Sequence, residues 1–346
     1  MKETSERNVA LDILKGMGII SMIMGHSNMG PIFEIYIAGF HMQLFFIVSG
    51  YLFCPEKYNS FFLYSKRKVR SILLPYFFFT VVTILFCEVE NVILGERIYS
   101  INSYFLGMIW SNRSIFPVTG AIWFLQCTFW IELFYYLIEK IKSKTITNIV
   151  VICALTGSIF LELRNIKLPL ALDSALSGLV FYHIGFIVKQ NRIFEKNKRI
   201  INPPIGLLLI VTIINAFLIY FNKPVNPRTC EYSFVPLYYI NALVGFWIWL
   251  CISSKLHGSK VVLLRKLSDA AMTIGKDSIF YLGFNQIIIH ALYKSISMLV
   301  LNNSSIFRAG RNIFICLLTI VACYTLSKVI VRSPLSVVFG KKKQTI

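Results

Sequence analysis

The amino-acid sequence predicts an all-α integral membrane protein: about ten transmembrane helices in one bundle, with both termini cytoplasmic. Three observations predict it. Hydrophobic residues make up 56% of the 346-residue chain and charged residues only 15%, and mean hydropathy is +0.67; soluble domains carry about a quarter charged residues. Ten apolar runs approach the ~20 residues a helix needs to cross the hydrocarbon core. With the N-terminus inside, 25 of the 35 lysines and arginines fall in one set of loops and eight in the other, the asymmetry that orients membrane helices. The net charge of +19 does not point to nucleic acid, because no basic stripe with interleaved aromatics sits on a soluble module. These loops instead meet anionic lipid headgroups.

The first expected span, 9–28, carries Asp12 and Lys15 and no small-residue cleavage site, so it reads as a span and not a signal peptide. The second, 31–53, is separated from the third, 71–91, by the basic run at 66–70. The segment 92–119 on the opposite side holds Tyr99, Tyr104, Phe105 and Trp110 with few charges, which suits the headgroup level. Spans at 120–139, 146–163 and 168–188 follow, then 203–222 and 234–254, a charged loop at 255–273, and spans at 274–298 and 312–331. No linker or composition shift divides the chain, so it reads as a single membrane-embedded domain over 1–346, its core about 7–332, with no appended soluble domain. Six of the eight cysteines lie within spans, where cysteine is a small apolar residue. Neither a disulfide framework nor a metal site is expected.

Two stretches carry ionisable groups into this apolar setting: LDILKGMGIISMIMGH at 11–26 and FHMQLFFIVSGYLF at 40–53. A charge in hydrocarbon costs several kcal/mol and persists mainly where it faces a protein interior or watery cavity. Lys15 and His26 are eleven residues apart, three helical turns, differing by about 20° in azimuth and about 16 Å in height. They share a face, with Lys15 near one membrane surface and His26 far from it. Asp12 is placed to pair with Lys15 at i, i+3. Asp173, within a span, needs a partner.

The opening RNVALDILKGMGIISMIMGHS, then FHMQLFFIVSGYLF, then KRKVRSILLPYF resemble the acyltransferase-3 family, the integral-membrane O-acyltransferases that modify bacterial surface glycans. GAIWFLQCTFWIEL, ALDSALSGLVFYHIGF and IGKDSIFYLGFNQ resemble its later helices more loosely. Lys15 and Asn285 make the chain similar to the fucose 4-O-acetylase-like branch; relatives more often have Arg and His at these two positions.

The resemblance implies transfer of an acyl group, acetyl by family habit, from acyl-CoA to a sugar hydroxyl of a cell-surface polysaccharide or its lipid-linked precursor, at the plasma or inner membrane. Acetyl-CoA is the expected donor, and the glycan acceptor and membrane lipids are the expected partners. Such chemistry needs a base for the hydroxyl proton, donors for the developing oxyanion and a site for the anionic carrier. Imidazole titrates near neutrality, so His26 is the candidate general base. His41 shares that work, orients His26 or donates to the oxyanion; a transient acyl-histidine is a further route. Arg7, Lys15, Arg67 and Arg70 are candidates for the donor's phosphates. Asp12, Trp123, Asp173 and Asn285 are candidate supporting residues, though Trp123 equally suits an interface anchor and Asp173 a purely architectural role. A lone membrane histidine is also an ordinary interhelical hydrogen bonder, worth about 1 kcal/mol. The rival reading is a multispan transporter or flippase of a sugar or small solute, against which the block at 7–53 has no counterpart in the second half.

The charge asymmetry makes a direct prediction. Reporter fusions near residues 66, 143, 196 and 262 should report the cytoplasm, and those near 105, 165, 226 and 305 the outside. An outside signal from the 66–70 loop would overturn this topology.

Overall fold

The computed structural model describes residues 9–197, 199–299 and 305–341. The described residues form fifteen α-helices joined by turns, with no strand among them: α1 (Val9–His26), α2 (Pro31–Ala38), α3 (His41–Leu52), α4 (Phe61–Lys68), α5 (Leu74–Leu94), α6 (Ile101–Ile109), α7 (Trp123–Lys140), α8 (Lys144–Leu163), α9 (Leu172–Gln190), α10 (Ile193–Lys196), α11 (Ile205–Phe221), α12 (Val235–His257), α13 (Val262–Lys276), α14 (Ser278–Leu299) and α15 (Ser305–Arg332). Among the described residues, eight stretches are long and apolar enough to cross a membrane. The other two expected spans are helices as well: α11, which is 17 residues long, and α14, which is 22.

Three departures from the expected elements have physical causes. The span 31–53 is two helices, α2 and α3, parted at Gly39 and Phe40. The third span begins at residue 61 and not 71, because α4 runs into α5 through a widened turn at Val69–Leu73, where the Leu74 N–H donates to the Val69 carbonyl. Pro75 lies one residue beyond. Its ring crowds the carbonyl four residues back and it has no N–H to offer, so an i→i+5 turn carries the helix past it. The segment 255–273, expected as a loop, holds most of α13, which runs on to Lys276, three residues into the expected span 274–298. Its charges, Arg265, Lys266 and Asp269, hide it from a hydropathy count, yet Ser268, Ala271, Ile274 and Gly275 recur at helical spacing and are buried.

Close backbone contacts fix the bundle. A Cβ on Gly16 of α1 would stand 1.8 Å from the Ala271 carbonyl oxygen of α13, and one on Gly275 would stand 1.8 Å from that of Asp12. The α3–α9 pair repeats the arrangement: Gly50 against Tyr182 O at 1.9 Å and Gly185 against Ile47 O at 2.0 Å. Small residues let helix backbones meet where lipid supplies no hydrophobic drive for association. At one end of α3, Phe53 packs edge-on against Tyr64, Tyr135, Tyr182 and Phe186. Beside this cluster the buried Glu132 accepts from the hydroxyls of Tyr64 and, at 2.8 Å, Tyr182. Lys68 pairs with it at 2.8 Å, which ties the basic helix α4 to α7 and α9.

Gly50→Ala puts a carbon against backbone that cannot move aside, so it should cost about 1–3 kcal/mol, read as a lower Tm in detergent. Gly206→Ala, where nothing lies within 4 Å of the new carbon, should leave Tm unchanged or slightly raised. Equal melting temperatures for wild type and Gly50→Ala would show that α3 and α9 have slack.

Candidate active site

His26 closes α1 and His41 opens α3. The Nδ1 of His41 lies 2.7 Å from the Ile37 carbonyl oxygen in α2. A carbonyl only accepts, so Nδ1 carries the hydrogen and the neutral ring presents its Nε2 lone pair. The break between α2 and α3 creates this bond: it turns the last carbonyls of α2 toward the first side chain of α3.

The His26 ring is set from another direction. The Gln286 side-chain oxygen on α14 accepts from the Ala121 N–H at 2.7 Å, which fixes the amide's orientation. Its Nε2 then faces His26 Nε2 at 3.5 Å, so this nitrogen of His26 is the acceptor. His26 is exposed and His41 half-buried, and the two rings lie within electrostatic range of each other. Two imidazoles therefore present basic nitrogens in one region, each with its tautomer selected by a neighbour.

A polar cap lies over the same end of the bundle. Asp173, in the first turn of α9, accepts from its own helix at Ser174 N (2.9 Å), from Leu168 N (3.1 Å) and from the Asn112 amide (2.8 Å), and it pairs with Arg113. A carboxylate is favoured there by the helix's unsatisfied N–H groups. Arg113 also donates to the Arg228 carbonyl at 3.0 Å. Arg228 in turn donates through Nε to the Ser111 carbonyl at 3.2 Å and through Nη2 to the Arg113 carbonyl. Burial, and then the neighbouring Arg113, push the Arg228 guanidinium down to about 10.

At the opposite end, Arg67 and Arg70 line a cavity of about 370 Å³ together with Lys66, Ser71 and Lys341. Lys341 is paired with Asp277. Ser71 also lines a second, apolar slot of about 120 Å³, walled by Ile19, Met22, Met42, Phe45, Phe124, Leu125, Thr128 and Ile279 among others. Met22 lies one turn before His26 on α1, and Met42 follows His41.

The other expected site residues are placed as follows. Lys15 pairs with Asp12 at 2.7 Å and is not among the residues lining the basic cavity. Trp123 is buried, edge-on to Phe124, which walls the slot. Asn285 is buried and donates to the carbonyls of Tyr281 and Leu282 in its own helix, both at 2.8 Å; its neighbour Gln286 reaches the histidine instead. Arg7 lies outside the described residues. Sequence reasoning passed over Gln286 and Arg228. A polar residue inside a span was the available signal for Gln286, whereas Arg228 gave none beyond being a basic residue on the side where they are few.

An all-helical membrane bundle with two such imidazoles at one end and a basic cavity at the other has the parts of a membrane acyltransferase. Over residues 8–328 the chain matches the acyltransferase-3 family, described as an acyltransferase domain, and it belongs to that family. No curated protein and no solved structure matches it.

Proposed function

We propose that the protein is an O-acyltransferase of the cell membrane. It takes an acyl group, acetyl as the simplest case, from acyl-CoA and passes it to a sugar hydroxyl of a cell-surface polysaccharide or its lipid-linked precursor. The observation that carries this reading is the alignment of the basic cavity, the apolar slot and the histidine pair, with Ser71 lining both hollows. A coenzyme A thioester has the same order of parts. Its phosphates suit Lys66, Arg67 and Arg70, its long neutral arm suits apolar walls, and its carbonyl belongs beside a base.

Arginine's planar fork grips phosphate oxygens in pairs, and two arginines a turn apart present two such forks to one cavity. At the far end, the attacking hydroxyl gives its proton to an imidazole Nε2 as its oxygen closes on the thioester carbonyl. The C–O bond forms, the C–S bond breaks, and the imidazolium returns the proton to the departing sulfur. His41 meets the requirement for the base with its Nε2 free among the described residues, and His26 meets it once the attacking hydroxyl takes the place of the long, 3.5 Å Gln286 contact at its Nε2. If α1 enters from the cytoplasm, donor and acceptor meet His26 from opposite sides of the membrane.

His26→Ala should lower glycan acylation by about 10²–10⁴-fold at matched expression and unchanged membrane insertion. His41→Ala should also lose activity, and the double variant should be little worse than the worse single one, because residues that act as a unit are not additive. The measurement is transfer of label from radiolabelled acetyl-CoA to the glycan fraction of native membranes. Wild-type labelling by His26→Ala would sink the assignment, and solute uptake without labelling would favour a transporter.

Replacing Arg67 and Arg70 together with Gln should raise the KM for acetyl-CoA and leave kcat nearly unchanged, because these groups hold the carrier and not the reacting carbonyl. An unaltered KM would remove them from the donor site.

A further inference from the structure

We infer that Arg228 is a catalytic residue of this site, and that its Nη1 and the Gln286 amide form the pair of donors for the carbonyl oxygen of the acyl group. The inference rests on the acyltransferase reading and extends it to a residue outside the family's recognisable motifs in this chain.

The geometry carries it in four steps. Arg228 is half-buried in the turn between α11 and α12, and no carboxylate among the described residues lies within ion-pair distance of it, whereas Arg113 beside it is paired with Asp173. Two of its three nitrogens are spent on backbone carbonyls, at Ser111 and Arg113, and the third, Nη1, has no hydrogen-bond partner among the described residues. Nη1 lies over Gly120, where a Cβ would stand only 2.2 Å from it, so a larger residue would displace it. Arg228 is also within electrostatic range of His26. The turn at Gly120–Ile122 thus has Arg228 against Gly120 and the Gln286 oxygen on the Ala121 N–H. Gln286 reaches His26 directly at 3.5 Å, and Arg228 flanks the same turn on its Gly120 side.

A half-buried cation without a counter-ion is costly unless some other negative charge meets it. Acyl transfer supplies one transiently. As the hydroxyl oxygen bonds to the carbonyl carbon, the carbonyl electron pair moves onto oxygen, and the hydroxyl proton passes to an imidazole Nε2. When the intermediate collapses, the pair returns, the C–S bond breaks, and the thiolate takes the proton back. Donors that are already oriented serve this charge without reorganising, and Arg228 is held by two backbone carbonyls before any substrate arrives. The Asp173–Arg113 pair acts at one remove: Arg113 donates to the Arg228 carbonyl and lends its own carbonyl to Nη2. It is a positioning element.

The test uses the full-length protein in native membranes with radiolabelled acetyl-CoA. Arg228→Gln should lower kcat by about 10²–10³-fold, the loss seen when one oxyanion donor is removed, with the KM for acetyl-CoA nearly unchanged. Arg228→Ala should regain part of that rate in millimolar guanidinium chloride, a recovery that a merely structural arginine would not show. Gly120→Ala, which pushes Nη1 aside and keeps the arginine, should lose rate in the same direction, and it decides the matter if the Arg228 variants fold poorly. An active wild type with kcat unchanged in Arg228→Gln or in Gly120→Ala would overturn the inference alone, as would full loss in Arg228→Ala with no guanidinium recovery in a normally folded variant. No labelling by the wild type itself would defeat the acyltransferase reading, and this inference with it.

Discussion

The contact on which the rest depends is backbone against backbone. Gly16 and Gly275 let α1 and α13 touch at carbonyl oxygens, and Gly50 and Gly185 do the same for α3 and α9. Inside a bilayer, apolar side chains gain little by leaving lipid for protein, so close packing and polar bonds hold helices together. The two helices that carry the histidines are therefore seated by contacts with almost no tolerance. His26 and His41 inherit that rigidity, since each stands at the end of a helix gripped along its length.

Polar groups do the remaining work at the two ends of the bundle. At the basic end, Glu132 gathers Tyr64, Tyr182 and Lys68 and fixes the helix whose next turn presents Arg70. At the other end, Asp173 and Arg113 clasp loops far apart in sequence and leave Arg228 held by carbonyls alone. In both places a buried carboxylate organises cations. In the first it secures a cluster of positive charge, and in the second it neutralises one arginine and leaves its neighbour unpaired. On the proposed reading, that difference suits a permanently anionic carrier at the first and a fleeting charge at the second.

Much of the fold was legible in the sequence because membrane constraints act locally. Each apolar run near twenty residues had to be helical, and all ten expected runs are largely so, with 31–53 parted at Gly39–Phe40 and 274–298 at Asp277. Structure that hydropathy averages away was lost: the amphipathic α13, whose charges offset its buried face, and the widened turn before Pro75, which requires following the proline back to the carbonyl it crowds. The histidines and the Arg67–Arg70 pair stand in short motifs, which a local reading singles out as candidates. Gln286 and Arg228 were not singled out, because what sets them apart is a geometric relation to His26 across roughly two hundred residues or more, and no local pattern records it. Asn285 drew attention as a departure from a pattern, while the residue after it makes the contact.

The apolar slot between the basic cavity and the histidines has an electrical consequence. Its walls are mostly aliphatic, aromatic and thioether side chains, with only the hydroxyls of Ser71, Thr128 and Ser278 among them, and its volume of about 120 Å³ holds only a few waters' worth of space. A hydrated ion would have to shed its shell there with little polar surface to replace it, at a cost far above thermal energy. The basic cavity is therefore parted from the histidine end by a stretch that offers an ion little, so charge has no easy route along this slot even though a long neutral chain would have one.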